Sequence, residues 1–150
     1  MNRDGPIIVI EDDIDDQEIL QMVFKELDFP NEVVYLSDGQ HALEYLTEND
    51  VYPFMILSDV NMPRLNGFDL KKMLYTNEQI SSKCIPYLFF TTSVERRAVM
   101  DAYSLSAQGF FLKPDTYAKL VDTIGAMIRY WKECYSPNNF QDSCLAAKSY

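Results

Sequence analysis

Histidine occurs once in this sequence, cysteine three times and glycine five times. The single histidine, His41, stands far from Cys84, Cys134 and Cys144, so no His/Cys set has the spacing of a zinc site. The cysteine number is odd and no CxxC pair occurs, which points away from a disulfide framework and toward reduced thiols in a cytoplasm. The few glycines form neither GxGxxG nor GxxxxGK[ST], so the common glycine-rich nucleotide cradles are excluded. Basic residues are also scarce, with 13 Lys and Arg against 23 Asp and Glu, a formal net charge of -10. Phosphate backbones need a basic face, so nucleic acid is not an expected partner. A divalent cation or a basic protein surface suits this charge better. No apolar run approaches the roughly 18 residues that span a bilayer, and no long signal-like segment opens the chain. No membrane association is expected.

What the sequence does have is alternation. Its 150 residues suffice for one domain with a buried core. Short apolar runs at 7–10, 32–36, 54–57, 85–90 and 109–112 read as buried strands. Between them lie amphipathic stretches, such as Ile19, Leu20, Val23, Phe24 and Leu27, or Leu120, Val121, Ile124, Met127, Ile128 and Trp131. Met22, Met73 and Met127 fall on such stripes and read as core filler. Capping boxes are expected at Ser37/Gln40 and Thr92/Glu95, and Asp115 is expected to cap the last helix. His41 reads as a surface position. Five strand-helix repeats predict an α/β domain with a doubly wound parallel sheet and right-handed crossovers. That domain is expected over 1–133, with a partly ordered C-terminal extension over 134–150.

In an open parallel sheet, ligands sit beyond the carboxyl ends of the strands. The first strand ends in Glu11-Asp12-Asp13, the third in Asp59, the fourth in Thr91-Thr92-Ser93 and the fifth in Lys113-Pro114. Each cluster alone has an ordinary explanation as a helix cap, a dipole partner or a solvated lysine. Their joint placement at the same edge of the sheet does not.

These residues carry a resemblance. Glu11-Asp12-Asp13, Ser58-Asp59-Val60-Asn61-Met62-Pro63 with Gly67 beyond, Thr91, and Lys113-Pro114, in this order over residues 7–131, resemble the receiver domain of two-component response regulators. The resemblance implies a flavodoxin-like, CheY-like (βα)5 fold with strand order 2-1-3-4-5. It implies that Asp59 is the phosphoryl-accepting nucleophile, and that Mg²⁺ is held by Asp12, Asp59 and the Asn61 carbonyl, with Glu11 acting through a bound water. Lys113 and Thr91 would stabilise phosphoryl oxygens, and Phe110 would be a switch aromatic coupled to Thr91. Asp13 is one acid more than the family pattern needs and reads as a neighbour. Thr92 stands where the family usually has a small residue, which would narrow access to the site. The Lys113-Pro114 bond is expected to be cis. The implied partners are a sensor histidine kinase or phosphotransfer protein, and a downstream protein bound through the face of the fourth helix, fifth strand and fifth helix (Tyr103, Phe110 and the helix of Tyr117). A homodimer through that face is a further expectation, because the chain also resembles single-domain regulators paired with bacterial phytochromes. No attached output domain is expected, and the only chemistry expected is the chain's own phosphorylation and dephosphorylation.

Two other readings compete. A haloacid-dehalogenase-type phosphatase also uses a strand-ending Asp with Mg²⁺ and Lys. It needs a second Asp two residues on as general acid, and here that position is Asn61. A docking module that keeps only the fold would have no use for Asp12, Asp59, Thr91 and Lys113 together.

Overall fold

The strand runs of the sequence become one all-parallel sheet in a computed structural model, which describes residues 2–135. The strands are β1 (Ile7–Ile10), β2 (Val33–Leu36), β3 (Met55–Ser58), β4 (Tyr87–Thr91) and β5 (Gly109–Leu112). They lie in the order β2-β1-β3-β4-β5. The helices are α1 (Ile14–Leu27), α2 (Gly39–Glu48), α3 (Gly67–Thr76), α4 (Glu78–Ser81), α5 (Arg96–Ser104) and α6 (Tyr117–Glu133). The one-turn α4 was not predicted, so the expected contact face is built here from α5, β5 and α6.

Side chains alternate across a strand, and this separates two cores. Ile8, Ile10, Ile56, Tyr87 and Phe89 face one layer with Leu46, Leu70 and Ala102. Ile7, Val9, Leu57, Leu88 and Phe90 face the other, against Leu20 and Val23 of α1 and Ile124 and Ile128 of α6. The central strands β1, β3 and β4 are buried along their whole length. Full burial of one such aliphatic side chain stabilises the fold by about 1.5–3 kcal/mol. Continuous apolar runs rather than alternating ones are what a sheet covered on both faces demands.

Two helix starts differ from expectation by one residue. Asp38, not Ser37, caps α2 and accepts from the His41 amide. Thr116, not Asp115, caps α6 and accepts from the Lys119 amide. Glu95 precedes α5 with no side-chain cap bond, so the Thr92/Glu95 box does not form. Met127 is core, but Met22 and Met73 are 60% and 45% exposed, because they sit at the outer margin of their helical stripes. His41 is exposed, as expected. The expected extension over 134–150 lies outside the described residues apart from Cys134 and Tyr135. Among the described residues, no helix is long and apolar enough to cross a membrane.

Candidate functional site

The parallel sheet aims every strand's carboxyl end at the same edge, so the turns after β1, β3, β4 and β5 converge there. Glu11 follows β1 directly and is 2% exposed. Asp13 caps α1, its carboxylate accepting from the amides of Asp15 at 2.9 Å and Asp16 at 3.2 Å. That cap fixes the turn on which Glu11 and Asp12 sit. Asp59 follows β3, and its Oδ1 accepts from the Val60 amide at 2.7 Å. The carboxylate oxygens of Glu11, Asp12 and Asp59 come within 4.8 Å of one another.

Lys113 enters this acidic group from the end of β5. Its backbone amide donates to Thr91 O at 2.7 Å, which aligns the ends of β4 and β5. Its Nζ lies 2.5 Å from Glu11, 3.0 Å from Asp16 and 3.6 Å from Asp59. Burial pushes the Glu11 carboxyl up to about 7, against the pull of the Lys113 ammonium. Burial alone would lower the Lys113 pKa, but Glu11, then Asp59 and Asp16, outweigh it and raise it overall. Lys113 therefore stays charged. One ammonium cannot neutralise three converging carboxylates and Asp16, and the excess negative charge is what a hard divalent cation requires.

The last component is a missing interaction. Thr91 closes β4 at 1% exposure, and its Oγ1 has no hydrogen-bond partner among the described residues. A buried unsatisfied hydroxyl costs about 1–3 kcal/mol, so it marks a place awaiting an acceptor. Thr91, Phe110 and Asn61 line one pocket of about 210 Å³ beside the carboxylates. Phe110 is half-buried, its ring 6.0 Å from that of Phe89.

Residues 7–125 match the family described as the response regulator receiver domain. The chain belongs to that family. It is 27% identical over 132 residues to response regulator Rcp1 of Synechocystis, covering 85% of this chain and 88% of Rcp1. The Mn²⁺-bound structure of Rcp1 superposes with a TM-score of 0.77 at 26% identity, covering 88% of this chain and 97% of that one. The phosphorylated cyanobacterial phytochrome response regulator RcpA has the same fold, with a TM-score of 0.79 at 23% identity over 88% of this chain and 96% of that one. Chemotaxis protein CheY-3 of Vibrio cholerae is 28% identical over 124 residues, covering 83% of this chain and 92% of that protein. The receiver fold with order 2-1-3-4-5 is thus the one the sequence implied, and the resemblance to phytochrome-associated regulators holds. The chain is a two-component response regulator domain, a signalling module of a family that takes phosphoryl groups from histidine kinases and binds downstream partners.

The receiver domain gathers Glu11, Asp12, Asp59, Thr91, Lys113 and Phe110 at one edge, with Asn61 exposed in the loop after Asp59. Thr92 is exposed. One expectation fails: among the described residues there is no cis peptide, so Lys113-Pro114 is trans. The trans form of an X-Pro bond is favoured by about 0.5–1 kcal/mol, and the lysine meets its three acidic neighbours from it. Asp16 was missed as a site residue. In the sequence it reads as a dipole partner in the first turn of a helix, and only the packing of α1 beside β5 brings it to Lys113. Gly67 was noted only as a motif position. A Cβ there would stand 2.2 Å from the carbonyl oxygen of Asp59, so the absence of a side chain lets α3 start against the Asp59 loop.

Proposed function

We propose that Asp59 accepts a phosphoryl group from a phosphohistidine of a sensor kinase or phosphotransfer protein, and that this changes the binding of a partner protein. An Asp59 oxygen forms the new bond to phosphorus while the phosphorus–nitrogen bond breaks, and the imidazole leaves with the electron pair. Lys113 holds a positive charge beside the incoming group, and its three acidic contacts fix it there. Thr91 donates its unpartnered hydroxyl to a phosphoryl oxygen. Mg²⁺ held by Asp12, Asp59 and the Asn61 carbonyl, with Glu11 through water, would supply the charge neutralisation that lets an anion approach this group. The observation that supports this reading best is the placement of the Asp59 carboxylate, the Lys113 ammonium and the unpartnered Thr91 hydroxyl at one edge of the sheet.

Phe110 shares the Thr91 pocket, and its ring follows Thr91 as that side chain turns toward phosphate. The exposed Met100, Tyr103, Leu112 and Tyr117 of α5, β5 and α6 form the partner face. The same face suits a homodimer. The free thiols Cys84 and Cys134 fit a reducing, cytoplasmic setting. The domain spans 1–133, and its only chemistry is its own phosphorylation and dephosphorylation. Incubation with acetyl phosphate and Mg²⁺ tests the reading by intact mass. A gain of one phosphoryl group in the wild type and none in Asp59→Asn is expected. Modification that persists in Asp59→Asn assigns the nucleophile elsewhere.

A further inference from the structure

The opposite edge of the sheet holds a second cavity, of about 300 Å³, at the amino ends of β3 and β4. Its walls are mostly apolar or aromatic, including Leu74, Tyr75, Ile80, Ile85 and Tyr87, with Ser81, Ser106 and Gln108 as the neutral polar lining. The one charged residue in its described lining is Lys71 of α3. Lys71 is 8% exposed, a rare state for a lysine without a paired acid. Among the described residues no carboxylate or carbonyl oxygen meets its ammonium. Every other lysine that is even partly sunk into the surface near the sheet ends has one: Lys83 meets Val51 O, Lys132 meets Arg3 O, and Lys113 meets three acids.

The neighbours Lys71 does have are two rings that also line the cavity. Its Nζ lies 5.5 Å from the centre of Tyr87 and 5.7 Å from that of Tyr75. Both distances are near the outer limit of about 6 Å for a cation–π contact, so neither ring replaces a hydrogen-bonding anion. The Tyr87 wall is held in place. Tyr87 is 1% exposed, and its hydroxyl donates to Gly67 O at 3.2 Å. Burial lowers the Lys71 pKa, which agrees with a lysine sunk in the fold without a paired acid among the described residues.

We propose that this cavity binds a small carboxylate with an aromatic or branched apolar body, its carboxylate on the Lys71 ammonium and its body between Tyr75, Tyr87 and the aliphatic wall. The size is at the small end of ordinary ligand pockets, and the pattern of apolar lining with one placed charge is theirs. A doubly charged anion such as inorganic phosphate does not fit the chemistry, because only one cation and few donors await it. The protein's net charge of -10 repels anions in general, so selectivity here rests on the local pair and the apolar body together.

The test uses 3-phenylpropionate, its neutral amide and inorganic phosphate, each titrated into the full chain and followed by backbone amide shifts. Shifts confined to residues around Lys71 and Tyr75 with the carboxylate, and at least tenfold weaker binding of the amide, are expected. Lys71→Met keeps an unbranched apolar stem, one atom shorter, and removes the charge, so it should cost the carboxylate the same tenfold and leave the amide unchanged. Tyr75→Ala, at an exposed position, should weaken both. Equal binding of carboxylate and amide, carboxylate binding unaltered by Lys71→Met, or no shift with any probe would overturn the proposal. So would shifts that appear only around Asp59. None of these readouts uses the phosphorylation of Asp59, so the two assignments stand or fall separately.

Discussion

Replacing Thr91 with valine isolates the hydroxyl on which the phosphoryl-site reading leans. The backbone of Thr91 is already satisfied in the sheet, its carbonyl accepting from the Lys113 amide at 2.7 Å. Only the side-chain oxygen lacks a partner, at 1% residue exposure. Valine keeps the β-branch that suits a strand and exchanges the hydroxyl for a methyl of similar size. The change removes an unsatisfied polar group worth about 1–3 kcal/mol and buries one more apolar carbon, worth about 0.8 kcal/mol. Some misfit of the new methyl offsets part of this. The unphosphorylated Thr91→Val protein should therefore be about 1–2 kcal/mol more stable than the wild type. Urea unfolding should show a higher midpoint with an unchanged slope, and Tm should rise by about 2–8 °C. With Asp59 phosphorylated the order should shrink or reverse, since a hydrogen bond to a charged acceptor contributes about 1.5–3 kcal/mol that valine cannot make. A Thr91→Val protein less stable than wild type before phosphorylation, at unchanged slope, would show that the hydroxyl already has a partner and would refute this account.

Two further outcomes follow from the same region. Gly67→Ala places a Cβ 2.2 Å from Asp59 O and 3.1 Å from the Phe89 ring, so the loop must move; a loss of about 1–3 kcal/mol in unfolding and slower phosphorylation by acetyl phosphate are expected. Unfolding without divalent cation should also depend on pH through Glu11, whose folded pKa of about 7 exceeds the ordinary carboxyl value of 4.5. The folded state then holds this proton more tightly, so the stability it contributes is complete below about pH 4.5 and is lost as pH rises toward 7. The loss is on the order of 3 kcal/mol, and Glu11→Gln should flatten that part of the curve; an unchanged slope in the variant would assign the dependence to other groups.

The strands were legible because a sheet covered on both faces needs unbroken apolar runs. Ile7–Ile10 and Gly109–Leu112 were read with their observed bounds. The site was legible because a parallel sheet turns four separate strand ends into one edge. What the sequence hid was decided by distances of a few ångströms. Ser37 and Asp38, or Asp115 and Thr116, offer neighbouring oxygens to the same helix start, and only the chain's entry angle chooses between them. The apolar stripe of α1 has a margin, and packing left Met22 outside it. Asp16 and Lys71 carry no motif. The first acquires its role from the approach of β5 to α1, the second from a cavity lining that holds no acid among the described residues.

Lys71 and Thr91 are two buried residues whose polar ends face candidate ligand sites. The Thr91 hydroxyl is wholly buried with no hydrogen-bond partner among the described residues, whereas the Lys71 ammonium, on a buried residue without a paired acid among them, opens onto its cavity. A domain of this size is stable by only about 5–15 kcal/mol, and the unpartnered Thr91 hydroxyl costs on the order of 1–3 kcal/mol. That hydroxyl therefore consumes a measurable share of the stability of the unliganded fold. They sit near opposite ends of β4, a strand buried at every residue, with Thr91 at one end and the Tyr87 wall of the Lys71 cavity at the other. Packing alone would favour valine at the first position and methionine at the second. A sequence that keeps the hydroxyl and the ammonium is better suited to occupied states than to the empty one, with a phosphoryl oxygen at one end of the strand and a carboxylate at the other.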